Sequence, residues 1–238
     1  MITLLVDPAV FGLPEVKVEG DSYRHLFRAR RVEAGEALRV VDGRGRARWG
    51  TVARVDRTSA TVALGEPAPA AEPAFRLELL VPTCRLERAS WLVEKATELG
   101  VHGIHFLNTT RAPRELTEGS LDRLRRVAIA ALEQCHGSRL PEITGPHPWR
   151  EIARLVAHLT GAAVSNRWFL DTEAADSGWG EVEGDAGALL VGPEGGWDPG
   201  ERHDLLTAGW RPVHLGDRVL RLETAALAGA ALLLFPRV

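Results

Sequence analysis

The hydrophobic pattern changes rhythm at Phe75. Before it, apolar positions come in short runs broken by glycine and charge: Ala37–Val41, Ala47–Val55 and Ser59–Leu64. Runs of this length with period-two alternation predict strands. Leu38–Val41 and Arg46–Val55 are joined by Asp42-Gly43-Arg44-Gly45, a hairpin signal. Several such strands predict a small β-barrel over residues 1–66. The stretch Gly65-Glu66-Pro67-Ala68-Pro69-Ala70-Ala71-Glu72-Pro73 is rich in proline and alanine and reads as unable to continue a strand or a helix. Residues 67–74 are therefore expected to form a linker.

From Phe75 onward strands and helices alternate. Phe75–Val81 predicts a strand, and Leu86–Leu99 a helix with Ala89, Leu92, Val93, Ala96 and Leu99 at helical spacing, ended by Gly100. Val101–Leu107 predicts a strand. Ser120 is the expected N-cap of a helix running to about Cys135, with Leu121, Leu124, Ala128 and Leu132 on one face. A helix follows over Arg150–Leu159, then strands at Arg167–Leu170 and Ala188–Val191. Glu201–Ala208 is helical, Pro212–Leu215 is a strand and Glu223–Phe235 is a closing helix. This alternation predicts an α/β domain over residues 75–238 with a largely parallel sheet. Ligands of such sheets bind at the carboxyl ends of strands, so the loops after Val191 and Leu215 are the expected site.

A length of 238 residues suits one main domain with a small partner. No apolar run reaches the roughly 18–20 residues that span a bilayer. Met1–Asp7 has neither a basic stretch nor a cleavage site, so no signal peptide is expected. Cys84 and Cys135 stand far apart, which fits neither a disulfide framework nor a metal site and suits thiols in a reducing cytoplasm. Net charge is −3, which argues against a general nucleic-acid coat. The distribution is uneven, however. Residues 24–57 hold ten arginines against Glu33, Glu36, Asp42 and Asp56, whereas residues 75–238 carry 18 basic and 22 acidic side chains. Such asymmetry hints at nucleic acid, and a solvated barrel surface would look the same.

Several chemistries drop out. Asp42-Gly43-Arg44-Gly45 is followed by alternating Ala47–Ala53 rather than by a helix, so it is a turn and no phosphate loop. There is no Gly-x-x-x-x-Gly-Lys motif and no Gly-x-Ser-x-Gly elbow. The eight histidines form no ligand pair at metal spacing, so His102 and His105 are expected to be structural and no metal is expected.

Two segments remain. Gly192-Pro193-Glu194-Gly195-Gly196-Trp197 follows the strand ending at Val191, and its paired glycines permit positive φ and close approach of a ligand. Taken alone, it could equally be a tight strand-to-helix turn. The second is Leu215-Gly216-Asp217-Arg218-Val219-Leu220-Arg221-Leu222-Glu223-Thr224-Ala225. There a broken strand exposes backbone groups to a purine edge, and Leu215, Leu220 and Leu222 can flank a ring. Arg221 and Glu223 add one charge of each sign near a helix N-terminus.

These two segments resemble the signature of the ribosomal RNA small subunit methyltransferase E family, within the SPOUT (trefoil-knot) superfamily. The similarity extends to Glu94–Val101, Arg111, Glu133-Gln134 and Arg139-Leu140-Pro141, and to His25-Leu26, Arg31, Gly35 and Asp42-Gly43. Leu222 departs from the family's usual Thr or Ser, and Cys135-His136 and Ala29-Arg30 depart at two other positions. The resemblance implies S-adenosylmethionine as methyl donor, a C-terminal knot, a PUA-like RNA-binding barrel and a homodimer. It also implies a uridine N3 of 16S rRNA in the small ribosomal subunit as acceptor. On that basis Leu170, Val191, Gly192, Glu194, Gly195, Gly196, Leu215, Gly216, Leu220, Leu222, Thr224 and Ala225 are expected at the donor. Glu223 is the candidate proton acceptor and Arg221 its electrostatic partner. His25, Arg28, Arg30, Arg31, Arg111 and Arg139 are the candidate RNA contacts. Other acceptors (a ribose 2′-OH or guanine N1) and a non-catalytic RNA-binding assembly factor stay open.

Overall fold

A computed structural model describes residues 1–70, 72–113, 116–160, 166–174 and 178–235. Ala71, inside the expected linker, lies outside them. The chain divides into two compact units, residues 1–72 with 129–140, and residues 73–128 with 141–238.

The first unit holds β1 (Thr3–Leu5), β2 (Glu15–Val18), a short helix α1 (Gly20–Tyr23) continued by a π-helical turn (Arg24–Ala29), β3 (Ala37–Val41), β4 (Ala47–Val55) and β5 (Ala60–Pro67). The sheet order is β1-β3-β4-β5-β2, antiparallel except for β1 beside β3. Leu4, Val16, Val18, Leu38, Val40, Val52 and Val62, drawn from all five strands, meet in one core with Phe11, Leu26 and Phe27. A curled sheet filling its own inner face produces this arrangement. The β3–β4 hairpin forms as its sequence predicts. Asp42 Oδ1 accepts from the amides of Arg44 and Arg46 at 2.8 and 3.0 Å, which fixes the turn.

Two features of this unit depart from the sequence reading. The strand β5 continues through Gly65-Glu66-Pro67, because Pro67 pairs with Arg48 at the strand's last position, beyond a bulge where a missing amide costs little. Residues 129–140 join this unit because Leu132 and Leu140 pack with Leu5, Val41, Ala47 and Ala68. Buried Arg39 secures them by donating to the carbonyls of His136 and Gly137 at 2.7 and 3.0 Å.

The second unit contains β6 (Arg76–Pro82), α2 (Leu86–Leu99), β7 (Gly103–Asn108), the start of α3 (Glu118–Cys135), β8 (Glu142–Pro148), α4 (Ile152–Thr160), β9 (Arg167–Leu170), β10 (Ala186–Leu190), α5 (Pro199–Thr207), β11 (Arg211–Val213) and α6 (Leu222–Leu234). Its six strands run in the order β11-β9-β10-β6-β7-β8 and every pairing is parallel. Helix α6 packs on α2, β6 and β10, and α4 packs on β10. The helix α2 has the predicted limits and ends at Gly100 in the left-handed region (φ 81°). Helix α3 starts earlier than predicted. Thr117 is its cap, since Thr117 Oγ1 accepts from the Ser120 amide while Ser120 Oγ accepts from the Thr117 amide. Strand β8 has no counterpart in the sequence reading. Its Gly145, Pro146 and Pro148 mask it, and they are tolerated because β8 is an edge strand.

Candidate functional site

All six strands point their carboxyl ends the same way, so the loops after them share one rim. After β10, Gly192 leads into the predicted turn. A Cβ on Gly192 would stand 3.1 Å from Trp197 Nε1, which itself donates to the Leu170 carbonyl at 2.9 Å after β9. A side chain at 192 would thus push the indole off the bond that ties the two loops together. Gly196 has φ 72° and its amide donates to the Pro193 carbonyl, closing the turn. Asp198 then caps α5 in a reciprocal box with Glu201. After β9, the Asp171 amide donates to the Val213 carbonyl and its carboxylate pairs with Arg202 at 2.8 Å. After β11, the chain passes His214 to Arg221 with Val219 fully out in solvent, and α6 begins at Leu222.

These three loops enclose a cavity of about 640 Å³. Leu170, Val191, Gly192, Glu194, Gly195 and Gly196 line it on one side, and Leu215, Gly216, Leu220, Leu222 and Ala225 on the other. Eleven of the twelve residues expected at the donor therefore meet in one place. The twelfth, Thr224, is exposed on α6 and does not line it, nor do Arg221 or Glu223. Glu223 is instead buried at the start of α6, and its Oε2 has no hydrogen-bond partner. Arg111 lines the cavity as well, donating to the Gly195 carbonyl at 2.8 Å. Asp171 and Arg202, also on the wall, were not foreseen, because an Asp after a strand and an Arg inside a helix carry no distinctive pattern. Leucines on two sides with glycine backbone between them suit a ligand with an apolar ring and a polar edge. The volume is that of a cofactor-sized site.

A smaller cavity of about 280 Å³ adjoins it, sharing Arg111, Pro193, Glu194 and Leu222. Arg88, in the first turn of α2, forms an ion pair with Glu194.

The remaining candidates lie in the first unit. His25, Arg28, Arg30 and Arg31 are exposed along and just after the π-helical turn. Arg28 covers the Tyr23 ring at 5.7 Å and donates to the Arg57 carbonyl, while Arg31 has φ 56°. Arg139 bridges to Gly43 and Arg44 through its backbone, and its guanidinium lies beside Gly45.

One buried polar group is structural. Glu78 on β6 accepts from His102 (3.0 Å) and His105 (2.9 Å), and His105 is hydrogen-bonded to Thr144, which also contacts His147 at 2.7 Å. Burial alone would raise the Glu78 carboxyl, but the hydrogen bonds and charge of His102 and His105 outweigh it and bring it down to about 2. His102 and His105 thus serve packing across β6, β7 and β8. Among the described residues no group of three metal-ligating side chains occurs.

A barrel-like unit and, in the same chain, a parallel-sheet unit with a cofactor-sized cavity at its carboxyl rim define an α/β protein with a ligand site. The RNA methyltransferase domain model matches residues 71–234, and the RNA methyltransferase PUA domain model matches residues 18–64. Ribosomal RNA small subunit methyltransferase E of Mycobacterium bovis is 32% identical over 88% of this chain and 82% of its own. The Treponema pallidum protein of that name is 30% identical over 67% of this chain, which spans 62% of the relative's length. A Neisseria gonorrhoeae ribosomal RNA small subunit methyltransferase E, solved bound to S-adenosyl methionine, superposes with a TM-score of 0.84 at 25% identity over 97% of this chain and 96% of that one. The chain belongs to the ribosomal RNA small subunit methyltransferase E family of RNA methyltransferases.

Proposed function

We propose that this protein transfers a methyl group from S-adenosylmethionine to N3 of a uridine in 16S rRNA. The observation that carries the reading is the 640 Å³ cavity, walled by eleven of the twelve residues expected at the donor. Leu215, Leu220 and Leu222 would flank the adenine, Leu170 and Val191 would close the floor, and the Gly192–Gly196 backbone would face the polar portions. When bound, the donor supplies a methyl group on a positively charged sulfur. The protein's share is positioning and the exclusion of water. Uridine N3 must lose its proton for its lone pair to attack. Glu223 is the proposed acceptor of that proton, supported by a buried carboxylate oxygen with no other partner, and Arg221 the proposed stabiliser of the developing charge.

RNA binding is assigned to a barrel domain over residues 1–66, through His25, Arg28, Arg30 and Arg31, with Arg111 and Arg139 as further contacts. Residues 67–74 are taken as its connection to a catalytic domain over 75–238. The reading includes a C-terminal trefoil knot, supported by β9 lying between β11 and β10 while α6 returns to β6. It also includes a homodimer, supported by exposed Trp91 on α2 and Leu232 on α6. The site of action is the cytoplasm, where ribosomes are. No described helix is long and apolar enough to cross a membrane.

The test is incubation with small ribosomal subunits and isotopically labelled donor, followed by digestion to nucleosides. Label in N3-methyluridine is expected, and label in a 2′-O-methyl nucleoside or 1-methylguanosine would overturn the acceptor assignment. Arg221→Ala and Glu223→Ala should slow single turnover more than they weaken donor binding. Equal single-turnover rates would remove both from catalysis.

A further inference from the structure

The smaller cavity has a chemistry of its own. Of its walls, Arg85, Arg88 and Arg111 are cationic, and Glu194, paired with Arg88, is the one carboxylate among the described lining residues. Two helices begin at its edge. Arg85 is the N-cap of the 14-residue α2 and Leu222 is the first residue of the 13-residue α6, and neither helix has a side-chain cap. Their first-turn amides and dipoles therefore remain available to an anion. Thr83, 1% exposed, lines the same cavity, and its Oγ1 has no hydrogen-bond partner. A buried hydroxyl left unpaired is destabilising, and a ligand that bonded to it would remove that cost. The cavity is less than half the volume of the donor cavity and shares a wall with it.

We propose that this cavity receives the acceptor base as an anion, an N3-deprotonated uracil whose oxygens face Arg85, Arg88 and Arg111. The inference rests on the methyltransferase reading above and adds the place and the charge state of the acceptor. Uracil N3 lies between two carbonyls, so loss of its proton spreads negative charge over O2, N3 and O4. Such an anion is planar, small and multidentate, which matches arginine forks and open helix ends. The N3 proton is given up to water in the cavity, and Glu223, next in sequence to the wall residue Leu222, is its proposed acceptor beyond that water. The N3 lone pair then forms the new N–C bond as the C–S bond breaks, and that bond's electrons stay on sulfur as a neutral thioether. The arginines act by lowering the cost of the uracil anion, so their removal should move a pH midpoint as well as slow the reaction.

The experiment measures single-turnover methyl transfer to small subunits across pH for the full-length protein, Arg85→Ala and Arg88→Gln, with the product nucleoside identified each time. Donor affinity is measured alongside by calorimetry. The wild-type rate should rise with pH to a plateau. Each variant should keep donor affinity within about twofold while its midpoint moves up by about one pH unit, slowing the neutral-pH rate about tenfold. A midpoint that stays put in both variants overturns the proposal, whatever happens to the plateau. Competition by inorganic phosphate with an unmoved midpoint would give the cavity to an RNA phosphate instead, and loss of donor affinity in a folded variant would give the arginines to the donor site. Either result overturns the inference. A wild-type product other than N3-methyluridine would instead sink the functional reading, so the two failures are distinguishable.

Discussion

Two groups of buried and half-buried polar side chains sit on the same parallel sheet and are treated oppositely. Across the middle of β6, β7 and β8, Glu78, His105, Thr144 and His147 form a continuous hydrogen-bonded chain, with His102 completing the carboxylate's shell. At the carboxyl rim, Thr83 follows β6, Thr109 follows β7 and Glu223 opens α6, and each holds a buried oxygen with no partner. Arg167 Nε, at the start of β9, is the one other such atom among the described residues. Buried polar atoms are nearly always satisfied in folded proteins. A closed network therefore marks groups whose work is done within the fold. Open valences at the rim leave groups free to meet a ligand, and of these three Thr83 lines a cavity.

Breaking the closed network should cost the most stability. A Cβ at Gly103 would fall within contact distance of Glu78 Oε2 and His105 Nε2, both held in the core. Gly103→Ala should lower unfolding free energy by about 3 kcal/mol in denaturant titration. A loss below about 0.5 kcal/mol would mean that the network is loose. Glu78→Gln should cost about 2 kcal/mol at neutral pH. Because the folded Glu78 carboxyl lies at about 2 against an ordinary 4.5, its stabilisation is fully present above 4.5 and is lost as pH falls towards 2. The acid limb of the stability profile between these values should flatten in Glu78→Gln. An unaltered limb would show that another carboxylate governs it.

The rim should respond in the opposite sense. Trp197→Phe removes the donor to the Leu170 carbonyl and should weaken S-adenosylmethionine binding about fivefold by calorimetry, with roughly 1 kcal/mol of stability lost. Thr83→Val replaces an unpartnered hydroxyl by a methyl of similar size. Its stability should stay within about 0.5 kcal/mol of the parent while methyl transfer slows. A clear loss of stability with full activity would put Thr83 on the structural side of the comparison.

Periodicity revealed the parallel-sheet unit well, because its central elements are long and regularly patterned. Helix α2 has the predicted limits and β9 its predicted four residues. What escaped has identifiable physical causes. Strand β8 carries one glycine and two prolines, residues that normally interrupt strands, and its edge position excuses them. Residues 129–140 continue a helical pattern begun in the other unit, and nothing local announces that Leu132 and Leu140 pack with Val41. In the site, glycine turns were legible because they are local. The smaller cavity was not, since Thr83 with Arg88, Arg111, Glu194 and Leu222 come from four separate stretches that only the parallel sheet brings together. The charged pair read from the sequence at 221 and 223 divides in the structure, with Arg221 exposed and Glu223 buried.

The central claim is that the unmet valences at the rim serve methyl transfer to uridine N3. Its most direct test is mass spectrometry of 16S rRNA nucleosides from cells with the protein, without it, and with its Glu223→Ala variant. The account predicts N3-methyluridine in the first, none in the second and a strong reduction in the third. N3-methyluridine at the same level in all three would contradict it.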